Sequence, residues 1–209
     1  MEQSYRTIGG IGTDEFVEKR SRFIGHIVPV TTEEEAQAVI ATRKKEFWDA
    51  RHNVWAYVLR EGNLRRYSDD GEPQGTAGMP VLDVLQKENL TDCVVVVTRY
   101  FGGILLGGGG LVRAYSHTAR LAVDAAGRCT MRPCALLSVT CDYAQYGWVA
   151  PLIAAAGGVV DDTEFTDTVC LRFHLPEEDI GHLQAQLTEQ SAGSLTLSQE
   201  DIAFYPFSE

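Results

Sequence analysis

The stretch CVVVVTRYFGGILLGGGGLVRAY, residues 93–115, decides how this chain is read. Cys93 to Val97 is a continuous apolar run, β-branched after the cysteine, as expected of a strand covered on both faces. Six glycines follow within positions 102–110, too many for either regular period. From Leu111 to Ala126 the apolar period becomes helical, with Leu111, Ala114, Tyr115, Thr118, Leu121, Ala122 and Ala125 on one face. The order is therefore buried strand, glycine loop, helix. Each glycine in a regular element costs about 0.5–1 kcal/mol relative to alanine, so such a cluster points to a function.

A loop that opens a helix gathers unpaired backbone N–H groups and the positive end of the helix dipole. The expectation is an anion or partner site built from Arg99, Tyr100, Phe101, Gly102, Gly103, Gly107, Gly108, Gly109, Gly110 and Arg113. Arg113 supports it, because a cation in the first helical turn opposes the dipole. The competing reading is a tight turn whose arginines pair with Asp69, Asp70 or Glu72. Nucleotide motifs fail here. Gly102 and Gly107 have P-loop spacing, but Gly108 and Gly109 stand where Lys and Ser/Thr are needed. Val112 stands where GxGxxG requires its last glycine.

Upstream, SDDGEPQGTAG (68–78) reads as a second loop, with Ser68, Asp69, Asp70, Glu72, Gln74 and Thr76 as its candidate site residues. Its acids could hold Mg²⁺ or move protons, but acids beside Gly and Pro are more often turn formers. No metal and no cofactor is expected, and no catalytic residue is assigned. A short helix should follow from Pro80, burying Val81, Leu82, Val84 and Leu85. Asn53–Leu59 and Leu64–Tyr67 read as strands. Thr32 and Glu35 form a capping box for a helix carrying Ala36, Val39, Ile40 and Phe47. Its basic end, Arg43 to Lys45, complements the dipole. Residues 14–30 read as one strand, or as a strand with a bulge at Gly25.

Beyond Pro133 the order is strand, helix, strand, strand, helix, strand, the ferredoxin-like βαββαβ arrangement. The expected domains are 1–133 and 134–209. Charge separates them too. Residues 1–133 hold 17 of the 18 Lys and Arg against 17 acids, while 134–209 hold only Arg172 against 12 acids, which gives the net −11. The acidic half should repel nucleic acid, so any RNA contact must come from the first half. No apolar run approaches the roughly 18–20 residues that cross a bilayer. MEQSYRTIGG does not read as a signal peptide. A cytoplasmic protein without a membrane partner is expected, its five cysteines reduced and buried.

The segments KRSRFIGH (19–26), SDDGEPQGTAGMP (68–80) and VVVTRYFGGILLGGGGLVRAY (95–115) together resemble the IMPACT family. The glycine run 107–110 departs from many relatives, which have another residue within it. The resemblance implies an α+β protein of two domains. The N-terminal domain is similar to the second domain of ribosomal small-subunit protein five, a fold also seen in elongation factor G; the acidic C-terminal domain is ferredoxin-like. It further implies regulation of translation rather than catalysis, because eukaryotic relatives act through a partner of an amino-acid-starvation kinase. Expected partners are RNA, the ribosome or a translation-associated protein for the first domain, and a protein for the second. An enzyme acting on a phosphorylated small molecule or nucleotide with Mg²⁺ is the alternative.

Overall fold

The structure is a computed structural model describing residues 4–208. The chain divides into two compact units, one holding Tyr5–Thr130 and the other Met131–Pro206.

In the first unit the apolar run behaves as its sequence demands. Strand β6 (Cys93–Tyr100) is the middle of a five-stranded sheet, flanked by β3 (Ser21–Pro29) and β4 (His52–Leu59). Strands β2 (Gly12–Glu18) and β5 (Leu64–Ser68) form the edges. The pairing is antiparallel throughout, with Val95 opposite Ile27 on one side and Ala56 on the other. Alternate valines of β6 serve opposite faces. Val95 and Val97 join the core beneath α2 (Gly78–Lys87) and α3 (Gly108–Ala126). Val94 and Val96 join Ala36 and Ile40 of α1 (Glu33–Glu46) on the other face. Full burial of each such side chain contributes about 1.5–3 kcal/mol.

The capping box of α1 is present, Thr32 receiving the Glu35 N–H and Glu35 the Thr32 N–H. Its basic end is not a patch: Arg43 is buried against Phe47 and bonded to Glu46, and Lys44 is paired with Asp70. Residues 14–30 differ from expectation. They form a hairpin of β2 and β3, with Lys19 and Arg20 at positive φ in its turn, and Gly25 pairs in unbroken register with Asp14 and Val97. Gly25 is small because α3 lies on it: a Cβ there would sit 2.7 Å from the Thr118 carbonyl oxygen. Helix α2 begins two residues before Pro80, and α3 begins within the glycine run. On α3 the buried face includes Ala119 and Val123, whereas Ala125 is exposed. Strand β1 (Tyr5–Ile8), not expected from the sequence, precedes the hairpin.

The chain enters the second unit inside strand β7 (Arg128–Cys141), with Pro133 within the strand. There β7, α4 (Tyr143–Ala155), β8 (Val159–Phe165), β9 (Val169–Pro176), α5 (Ile180–Gln190) and β10 (Ser198–Ser208) follow in order. Their sheet runs β10-β7-β9-β8, with β9 antiparallel to both neighbours. That is the ferredoxin-like order, and its core holds Leu137, Ile153, Leu171, Phe173, Leu183 and Leu187. The cysteines are all free, and all but Cys170 are buried.

Candidate functional site

The two motif loops meet at the end of β6. In the first, each acid has an internal partner. The Asp69 carboxylate accepts the N–H groups of Gly75, Ala77 and Gly78 and so caps α2. Asp70 stands at φ 46°, accepts the Asn53 N–H and pairs with Lys44. Its own N–H donates to Ser68 Oγ. Glu72 is buried and accepts from Arg99 Nη1 at 2.6 Å and from the Tyr115 hydroxyl at 2.8 Å. Burial and the Glu72 charge push the Tyr115 phenol above its ordinary pKa. Thr76 bonds the Pro73 carbonyl, and Gln74 is exposed. Of the acids that could hold Mg²⁺, Asp70 and Glu72 are thus each matched by a cation of the fold. Among the described residues no group of three His, Cys, Asp or Glu gathers as metal ligands do.

Arg99 corrects the expectation that it serves an external anion. It is 5% exposed, held by Glu72 and Ser21 and lying over the rings of Phe23 and Phe101. Only its Nε is left without a partner. Tyr100 bonds Asp49 through its hydroxyl, and that bond holds the phenol pKa up. The Gly102 N–H is taken by Ser21 Oγ, and a Cβ on Gly102 would lie 2.1 Å from the Arg20 carbonyl carbon. Gly103 and Gly107 have φ of 83° and 72°. Phe101 remains half exposed and Leu105 almost fully so.

The α3 N-terminus is open. Gly107 is its cap and offers no side chain; Gly107, Gly108 and Gly109 are exposed. The Leu111 N–H is satisfied by the Gly107 carbonyl, whereas those of Gly108, Gly109 and Gly110 are the unpaired donors of a helix start. Two clefts flank this point. One, of about 510 Å³, has Arg51, His52, Glu72 and Arg99 on its polar wall and Phe101, Leu105, Leu106 and Leu111 on its apolar wall, with Gly107 and Gly108 at its end. The other, of about 490 Å³, runs along α3 past Arg113, His117 and Arg120 opposite Phe16 and Glu18. Arg99 and Arg113 therefore serve different clefts.

The residues that sequence reasoning missed are Arg20, Ser21, Arg51, His52, Tyr115 and Arg120. His52 stands opposite Arg99 in the β4–β6 register, its Nδ1 donating to the Asp70 carbonyl and its Nε2 3.8 Å from Glu72. Ser21 lies within KRSRFIGH, a segment whose work is visible in the fold: Ser21 ties Gly102 and Arg99, Phe23 underlies Arg99, and Gly25 admits α3.

The Impact N-terminal domain model matches residues 19–123, and a domain of unknown function (DUF1949) matches 139–194. The IMPACT family member YvyE of Bacillus subtilis is 35% identical over 98% of this chain and 94% of its own. YigZ of Escherichia coli is 35% identical over 86% of this chain and 89% of its own. Protein IMPACT of Mus musculus is 35% identical over 96 residues, 43% of this chain and 30% of its own. A crystal structure described only as that of a hypothetical protein superposes with a TM-score of 0.60 at 32% identity, covering 96% of this chain and 99% of its own. No helix among the described residues is long and apolar enough to cross a membrane. With half the chain matched by the Impact N-terminal model and nearly all of it by a bacterial member, the protein belongs to the IMPACT family.

Proposed function

We propose that the protein is a translation-related regulator that works by binding, and that its first unit docks on RNA around the glycine loop. One observation carries this reading. Four arginines, Arg20, Arg51, Arg113 and Arg120, have no hydrogen bond, ion pair or ring contact from their side chains among the described residues, and all four adjoin the loop or the helix it opens. Arg22, Arg43, Arg60, Arg99, Arg128, Arg132 and Arg172, by contrast, are each paired with a carboxylate. Unpaired guanidinium groups beside exposed helix-start amides suit the phosphates of a nucleic acid, which a single helix start would hold only weakly. Arg113 and Arg120 are seven residues apart on α3, two helical turns along one face. Phe101, half exposed at the same loop, offers a ring for a base to stack on.

Fluorescence anisotropy with single-stranded RNA, repeated across salt concentrations, tests the reading. Every phosphate that an arginine no longer neutralises should lower the slope of log K against log[salt] by about 0.7. Arg113→Gln with Arg120→Gln should weaken binding and flatten that slope. An unchanged slope in the variant lacking all four arginines refutes RNA docking. Ribosome co-sedimentation that survives in that variant, insensitive to salt, would point to a protein partner instead.

A further inference from the structure

The sheet of the second unit ends on an open edge. Strand β8 is last in the order β10-β7-β9-β8, and among the described residues its only strand partner is β9. Every residue of β8 except Thr163 is exposed, so the outer side of its backbone presents N–H and C=O groups with no neighbouring strand. We infer that this edge is a docking site for an extended protein segment in which basic and apolar residues alternate, added to the sheet as one more strand. The site lies in the second unit and does not rest on RNA docking by the first.

The register with β9 sorts the β8 side chains onto two faces. Val160, Thr163 and Phe165 stand opposite Phe173, Leu171 and Val169, which belong to the core, and so lie on the helix side. Asp162 and Glu164 stand opposite Arg172 and Cys170 on the open face, and Asp161 joins them through a bulge, bonded to His174. Two different surfaces therefore flank one row of free backbone groups. On the helix side Phe165 is 56% exposed and stacked on Tyr143, itself 56% exposed and fixed by its hydroxyl bond to the Thr166 carbonyl. The open face carries Asp161, Asp162 and Glu164 against one arginine, Arg172, the only Lys or Arg of residues 134–209. Arg172 reaches Asp162 and Glu164 at 3.2 and 3.4 Å, exposed pairs of the kind that hold little.

These two surfaces decide the occupant. Charges along an edge strand guard it against stray pairing, and that accounts for the acids. It gives no reason for the exposed rings of Phe165 and Tyr143 at the end of the same strand. A second copy of this chain is a poor guest. Laid antiparallel on itself, β8 would bring Asp162 and Glu164 onto one face with their own copies, and like charges across a strand pair destabilise it. A strand with Lys or Arg opposite Asp162 and Glu164, and apolar residues opposite Thr163 and Phe165, meets both faces at once. The bulge at Asp161 leaves Asp162–Phe165 as the regular stretch, so the segment recognised is short. The surplus of acids over residues 134–209, 12 against Arg172, draws such a segment in before any strand forms.

The test is fluorescence anisotropy of a short labelled peptide of alternating lysine and valine titrated with the full chain, read together with amide hydrogen exchange. The peptide should saturate and slow exchange at 159–165, and glutamate in place of lysine should weaken it at least tenfold. A peptide that keeps the lysines but carries proline for valine has the charge and cannot add a strand, so it too should bind at least tenfold more weakly. Asp162→Asn with Glu164→Gln should weaken binding at least tenfold, and Phe165→Ala at least threefold. Glu200→Gln with Asp201→Asn removes the same charge from β10, at the other end of the sheet, and should leave binding within twofold. Circular dichroism melting checks that each variant is folded; the carboxylate variants, changed only at exposed positions, decide the matter if Phe165→Ala is not. Arg113→Gln with Arg120→Gln should leave peptide binding intact, so RNA docking can fail while this site stands. Equal binding of the proline peptide, equal losses in the β8 and β10 carboxylate variants, or no protection at 159–165 overturns the proposal. Protection of 159–165 that rises with protein concentration in the absence of peptide assigns the edge to a second copy and overturns it as well.

Discussion

Glu72 and Arg99 form a buried ion pair, Oε1 to Nη1 at 2.6 Å, that joins the two motif loops; Tyr115 of α3 donates to the same carboxylate oxygen. Breaking a buried pair from one side strands a charge, which costs about 3–5 kcal/mol. Arg99→Met and Glu72→Met should each lower stability by that amount in urea unfolding. The double variant should lose less than the sum, because it strands neither partner. Tyr115→Phe should cost less than either, about 1–3 kcal/mol, since it removes only one bond to the carboxylate.

Asp69 should behave as a cap. It accepts the N–H groups of Ala77 and Gly78 at the start of α2 and that of Gly75 in the loop before it, so Asp69→Ala should cost about 0.5–2 kcal/mol. The melting temperature of the native protein should not move when Mg²⁺ is added or chelated. A large metal-dependent shift would restore the acids of 68–78 as cation ligands.

The glycines should divide by what surrounds them. A Cβ on Gly25 would meet the Thr118 carbonyl oxygen at 2.7 Å and one on Gly12 the Ala122 carbonyl oxygen at 2.3 Å. Alanine at either position should destabilise by about 1–3 kcal/mol as α3 is forced off the sheet. Gly109 has open space around it, and Gly109→Ala should stabilise by up to about 1 kcal/mol. Chemical denaturation of the three variants gives opposite signs if the packing is as described.

Cys93 lies at the start of the central strand with no exposed surface, and burial pushes its thiol pKa up to about 12. The thiolate is the reactive form, so Cys93 should resist alkylation at neutral pH and react only on unfolding. Mass spectrometry of peptides after brief iodoacetamide treatment, with and without urea, reads this directly.

His26 is half-buried on β3, and its pKa is lowered by burial and then by the charge of Arg43. Above about pH 6.5 both folded and unfolded chains hold it neutral. As pH falls below that value the unfolded chain takes up a proton that the folded chain resists, so stability declines until the folded-state pKa is passed. His26→Gln should remove this part of the acid sensitivity, bringing the stability difference between pH 7.5 and 5.5 closer to zero.

Much of this fold is legible from periodicity alone. The valine run, the Thr32–Glu35 capping box and the βαββαβ order each carry a local signature that tertiary contacts do not override. The hairpin at 12–29 reads as one strand in the sequence because its turn is made by Lys19 and Arg20 at positive φ, residues that announce no turn. The glycine loop is legible as a feature but not in its detail. Gly102 is required by the backbone of Arg20, some eighty positions earlier, and Arg99 looks free until β4 and the acidic loop close over it. Arg51 and His52 enter the cleft only through strand pairing, and spacing along a chain carries no trace of that.

The loop at 68–78 has a consequence for kinetics. With Asp69, Asp70 and Glu72 each fastened to backbone or to a basic side chain, that wall of the cleft is set before any guest arrives. A guest would therefore meet a receptor already in shape. Its arrival should follow a single exponential whose rate rises linearly with concentration, and changes in tightness should be felt mainly in how long it stays.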